Sequence, residues 1–293
     1  MVMKLLRFAT AVVPLALAVA CSSVYAADAA SAPAATVALP PVEVSVLRDP
    51  VEKSYRRIAR GMDVFEQRRG LAPNASLRFK LLPRTRDTSM EHIALSIVSD
   101  NVSIPVRVTA DHTFALERSR QALDEDAVVV PNRRARSMTW RAEVRSPGLP
   151  ADTRRLGDLR LECYVGVEAG LVSNPRSIID EILRLAEDRD YCNQRVPHYY
   201  FFADRPLWSV TLVDGSRREV LPVDQMYAGI SREPKSSDDL RYCDCEVLID
   251  RAYFAPLGDR RWPDDTLVEL QYMDDPSPGT VDAPDATSEG VRQ

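Results

Sequence analysis

Glycine and histidine are scarce in this chain, 11 and 3 among 293 residues, and each scarcity removes a class of chemistry. No glycine-rich loop opens a helix, so the backbone cradle that nucleotide phosphates need is missing. No serine stands in a G-x-S-x-G turn and there is no H-E-x-x-H pair, which removes the commonest signatures of serine hydrolases and zinc peptidases. Acid–base chemistry by histidine would have to draw on His92, His112 or His198. Lysine is almost as rare: 34 of the 38 basic residues are arginine, a skew that follows base composition more readily than anion recognition. No apolar run approaches the roughly 20 residues of a membrane-spanning helix. The sequence nominates no catalytic residue and implies no cofactor.

What is present begins with a leader. Residues 1–26, "MVMKLLRFATAVVPLALAVACSSVYA", place Lys4 and Arg7 ahead of an uncharged run from Phe8 to Ala20, the layout of a secretory signal. Cleavage after "VYA" would make Ala27 the first residue. "LAVAC" offers a second site and resembles the lipobox of bacterial lipoproteins, which implies acylation of Cys21 and, with Ser22 following, sorting to the outer membrane. Both options place the protein beyond the cytoplasm, in the periplasm or on the periplasmic face of the outer membrane of a Gram-negative bacterium. Without Lys4 and Arg7 the chain has 36 basic against 43 acidic residues. That balance argues against nucleic acid as a partner, and a membrane is expected only through a lipid at Cys21.

Residues 27–48 open with "ADAASAPAATVALPP", whose Ala, Pro and Ser cannot build a core and read as a flexible tether; residues 274–293 read as a disordered tail. An amphipathic helix is predicted within 49–70, with Asp49 as its cap, Gly70 past its end, and Val51, Tyr55, Ile58, Met62 and Phe65 on one stripe. Over 76–168 the period changes to two. "LRFKLLP", "HIALSIVS", "IPVRVT", "TFALE", "AVVV", "SMTWRAEV" and "DLRLECYVGV" are seven β-rich runs, which predict an antiparallel sandwich. An interdomain helix is predicted over 174–192 from "NPRSIIDEILRLAEDRD" and its Asn174 cap. A second small antiparallel β domain is predicted over 196–273, with Asp214 and Gly215 marking a hairpin. The fold class is therefore mainly β, two small antiparallel domains with two helices.

The hairpin "VRVTADHTFALE" resembles the strand, turn and F-x-L strand of carboxypeptidase-regulatory-like, or transthyretin-like, β-sandwiches. His112 stands where that family commonly has glycine. The resemblance implies a noncatalytic module and carries over no site residues.

In "RYCDCEVLID", Cys243 and Cys245 are two apart and on a strand would share a face. With Cys21 removed or acylated, the folded part holds an even set of Cys163, Cys192, Cys243 and Cys245, which in an exported chain favours disulfides. Direct union of Cys243 and Cys245 would close a small strained ring. The favoured connectivities give one of them to Cys163 and the other to Cys192. A soft-metal site using Cys243, Cys245 and Cys192, with His198 nearby, and a redox pair are the other readings. The aromatic run Tyr199 to Phe202 suits core packing or a carbohydrate face. The resulting expectation is a noncatalytic envelope protein that binds or supports another envelope protein or glycan. The alternatives are an enzyme acting on glycan or peptidoglycan through unidentified carboxylates, and a copper or zinc handling protein.

Overall fold

Asp49 and Pro50 predict a helix from residue 50, yet the chain is still extended at β1 (Lys53–Ser54), pairs there with Val128 and Val129, and only then winds into α1 (Tyr55–Gln67). The ladder explains the delay. Val51 N–H donates to Arg133 O at 3.2 Å and Tyr55 N–H to Ala127 O at 3.0 Å, bonds that an earlier helix would break. Ser54, not Asp49, caps the helix, its hydroxyl accepting from Arg57 N–H at 3.3 Å. Of the expected stripe, Tyr55, Ile58 and Phe65 are buried on the helix and Met62 partly so.

The computed structural model describes residues 51–135, 137–171, 191–193, 199–227 and 247–275, and among them the chain is mainly β, with 13 strands in four sheets. After α1 come β2 (Ser76–Pro83), β3 (Leu95–Val98), β4 (Ser103–Val106), β5 (Thr113–Phe114), the short helix α2 (Arg120–Asp124), β6 (Val128–Pro131) and β7 (Met138–Arg145). They form two antiparallel sheets in the orders β1-β6-β3-β4 and β5-β2-β7. β2 and β7 pair along their whole length, from Ser76 opposite Arg145 to Pro83 opposite Met138. Phe79 and Leu81 of β2, Trp140 and Val144 of β7, Ile97 of β3 and Val129 of β6 share one core with Tyr55 and Ile58. Phe114 meets Trp140 edge-on there, centroids 5.7 Å apart.

The turn before β5 keeps its tight form despite lacking glycine. His112 adopts a φ of 61°, the left-handed region in which a Cβ is strained. The Asp111 carboxylate holds the turn by accepting from Thr109 Oγ1 (2.5 Å), Thr113 Oγ1 (3.0 Å) and Thr113 N–H (3.3 Å).

One expected strand is a helix. β8 (Thr153–Arg155) runs straight into α3 (Leu156–Glu168), so "DLRLECYVGV" is helical. Leu159, Leu161, Cys163 and Val165 alternate with Asp158, Arg160, Glu162 and Tyr164 as on a half-exposed strand, but Asp158, Arg160 and Glu162 are buried as well. A helix enclosed on nearly every side has no solvent face, so the 3.6-residue period that would reveal it is absent. Close approach adds a further condition: a Cβ on Gly157 would lie 2.2 Å from Leu71 O.

The second half contributes β9 (Phe201–Phe202), β10 (Leu207–Asp214), β11 (Arg217–Val220), β12 (Ala252–Tyr253) and β13 (Leu267–Tyr272). β9 pairs with β12, and the other sheet has the order β11-β10-β13-β8. Gly215, at φ 58°, makes the expected hairpin turn between β10 and β11. β8 thus joins the second sheet from within the span assigned to the first domain, and α3 contributes Leu161 and Val165 to one core and Leu156, Leu159 and Cys163 to the other. Most of the helix expected over 174–192 lies outside the described residues, as do 1–26, 27–48 and 276–293.

Candidate functional site

Alternation along β2 turns Ser76, Arg78 and Lys80 away from the buried Phe79 and Leu81, and β7 sets Arg145 opposite Ser76 and Glu143 opposite Arg78. The turn at Ala110, Asp111 and His112 rises beside this polar face. From the second half, Asp204 and Arg251 close it into a cleft of about 690 Å³.

Charge in the cleft is largely paired. Lys80, its side chain 14 % exposed, donates to Asp204 Oδ1 and lies 3.6 Å from Glu143 Oε1. Arg145 reaches Glu143 at 3.6 Å and Asp204 at 4.0 Å, and Arg251 Nη1 donates to Asp204 O at 2.8 Å. Burial works against the charge of Asp204, but the Lys80 ammonium, with Arg145 and Arg154, outweighs it and holds the carboxyl below the usual carboxylate range. Arg78 is different: Nε donates to Thr113 Oγ1 at 2.6 Å and Nη2 to Thr109 Oγ1 at 3.1 Å, and among the described residues no carboxylate pairs with it. The arrangement is a rigid polar wall suited to holding a polar ligand in one pose.

A second charged cluster is buried and architectural. Among the described residues β7 has one sheet neighbour, β2, and part of its other edge is met by side chains. Glu162 Oε2 accepts from Val144 N–H at 3.0 Å, Arg154 Nη2 donates to Val144 O at 2.8 Å, and the two side chains join each other at 2.7 Å. Asp158 accepts from Ser146 N–H at 2.8 Å and from Ser146 Oγ at 2.7 Å. These groups occupy the places a further strand would take. Burial works against the Arg154 charge, but the Glu162 carboxylate outweighs it and raises the guanidinium above its ordinary value. Arg160 is likewise consumed by the carbonyls of Leu257, Asp259 and Trp262 and by Asp264. Asp264 and Asp265, adjacent in the sequence, are thereby committed to Arg160 and Arg155.

The cysteines correct the expected connectivity. Cys163 and Cys192 are bonded to each other, with Cα atoms 5.9 Å apart, so neither is available to Cys243 or Cys245. The reason is the helix: α3 buries Cys163 in the second core, where the 3₁₀ turn Tyr191–Asn193 brings Cys192 against it. The proposed metal set of Cys243, Cys245 and Cys192 loses Cys192 for the same reason. Cys21, Cys243, Cys245 and His198 lie outside the described residues. Tyr199 and Phe201 of the aromatic run are buried, ring centroids 4.9 Å apart, and serve as core.

None of Arg78, Lys80, Glu143, Arg145, Asp204 and Arg251 is nominated by sequence reasoning. The available signal was local: "SLRFKLLP" already puts Ser76, Arg78 and Lys80 on one face. Asp204, 124 residues from Lys80, carried none. No family model, no curated protein and no solved structure matches the chain.

Proposed function

We propose that this is a noncatalytic bacterial cell-envelope protein, kept in the periplasm or on the periplasmic face of the outer membrane, that binds or supports another envelope protein or glycan. The observation that carries the reading is the state of the charges around Lys80 and Asp204. A general acid or base must be able to give up or take a proton within reach of a substrate. Lys80 is instead engaged by two carboxylates, which suits a surface of fixed shape. Export is supported by the leader-like residues 1–26 and by the Cys163–Cys192 disulfide, which an oxidising compartment sustains.

Crosslinking of the full chain in intact cells, followed by fractionation, tests this. The expected result is an envelope component crosslinked to the wild type and lost from a folded Asp204→Lys variant, with the protein either in the periplasmic fraction or in a membrane fraction from which Cys21→Ala releases it. Recovery from the cytoplasm with reduced cysteines, or turnover of peptidoglycan fragments by the purified protein, refutes the proposal.

A further inference from the structure

Charge around Lys80 and Asp204 does not balance. Arg78, Lys80, Arg145 and Arg251 line the cleft with Asp111, Glu143 and Asp204. Lys80, Arg145 and Arg251 each have a carboxylate within 4.0 Å. Among the described residues Arg78 has none, although its guanidinium is fixed by the hydroxyls of Thr113 at 2.6 Å and Thr109 at 3.1 Å. A cation preorganised by neutral groups leaves its remaining N–H donors for a charged acceptor. His112 lines the same cleft while holding the left-handed φ of 61°. Strain of this kind, kept in place by neighbouring bonds, is concentrated at ligand-contacting positions. His112 adds an imidazole to the lining of the cleft.

The geometry points to an oxyanion subsite in this cleft, centred on Arg78 with His112 on the same lining, that takes a carboxylate or phosphate group of the ligand. The ion-paired wall of Lys80, Glu143 and Asp204 then meets the uncharged polar part. The inference rests on reading the cleft as a binding site. Asp111 sets its strength. That carboxylate belongs to the turn, bonded to Thr109 and Thr113, and opposes an anion, so affinity for a simple anion is on the order of millimolar.

The test is titration of the isotope-labelled full chain with inorganic phosphate and, separately, acetate at constant ionic strength, following the amides of residues 109–113 and the His112 imidazole by NMR. Saturable shifts confined to this turn are expected, and the anion that binds more tightly identifies the group recognised. Arg78→Gln should weaken binding about tenfold or more, the scale of a charge-assisted bond. His112→Asn, which tolerates the left-handed backbone, should weaken it several-fold, and Asp111→Asn should tighten it. Arg120→Gln removes the same charge from exposed α2 and should leave affinity unchanged. Shifts that fail to saturate, or equal losses in Arg78→Gln and Arg120→Gln, overturn the subsite while leaving the binding reading intact. A partner crosslink insensitive to Asp204→Lys would instead remove that reading.

Discussion

Replacing Glu162 tests whether the buried charges of α3 stand in for a missing strand. Glu162→Gln preserves shape and an acceptor for Val144 N–H but leaves Arg154, whose side chain is 7 % exposed, without its counter-charge. Breaking a buried pair from one side costs about 3–5 kcal/mol. The retained acceptor puts this variant near 3 kcal/mol, which at a urea slope of about 2 kcal/mol/M moves the midpoint by roughly 1.5 M. The double variant Arg154→Met, Glu162→Leu is more informative. Apolar replacement of both members of a buried ion pair is often neutral or stabilising. Here it would also strip partners from Val144 N–H and Val144 O, two buried edge groups worth about 1–3 kcal/mol each when left unsatisfied. The double variant should therefore remain about 2–4 kcal/mol below wild type in equilibrium urea unfolding under oxidising conditions. A double variant as stable as wild type would falsify the edge-capping argument.

Three further outcomes follow from the same structure. Gly157→Ala, with its Cβ 2.2 Å from Leu71 O and 3.1 Å from Asp264 O, should lose about 2 kcal/mol or more, visible as a lowered Tm in calorimetry. Cys163→Ala with Cys192→Ala opens a link of sequence separation 29 and should cost about 3–4 kcal/mol, matched by wild type in reductant; no difference between oxidised and reduced protein would contradict the pairing. Asp204, its folded pKa depressed by Lys80, contributes stability that is fully present above its unfolded value of about 4 and is lost as pH falls through the folded value. Asp204→Asn should accordingly flatten the acid limb of a Tm-against-pH profile, and an unchanged limb would show that the ion pair is thermodynamically silent.

The parts of the fold that were legible are those whose pattern is local. β2, β13 and the β10–β11 hairpin are announced by alternation or the Asp214-Gly215 turn, and β7, buried on both faces from Met138 to Ala142, by its β-rich run "SMTWRAEV". α3 was illegible because its polar residues are buried and bonded, so Asp158, Arg160 and Glu162 imitate the wet side of a strand. The start of α1 was misplaced because bonds formed 82 and 72 residues away, from Val51 to Arg133 and from Tyr55 to Ala127, decide how far the chain stays extended. The cysteine pairing inherited the error on α3: once Cys163 is put on a strand, its partner cannot be found by spacing. Of the site, only the shared face of Ser76, Arg78 and Lys80 was within reach; Asp204 and Arg251 arrive through tertiary packing that no window of sequence contains.

Because the chain lays β8 into the second sheet before α3 returns to line the first core, the two halves are laced together rather than strung in series. A cut anywhere between residues 145 and 171 would strip one half of an edge strand or a core wall, so neither half is a transferable module. Heating should melt the two cores that α3 joins in a single transition, and swapping either half into another chain would require carrying α3 twice.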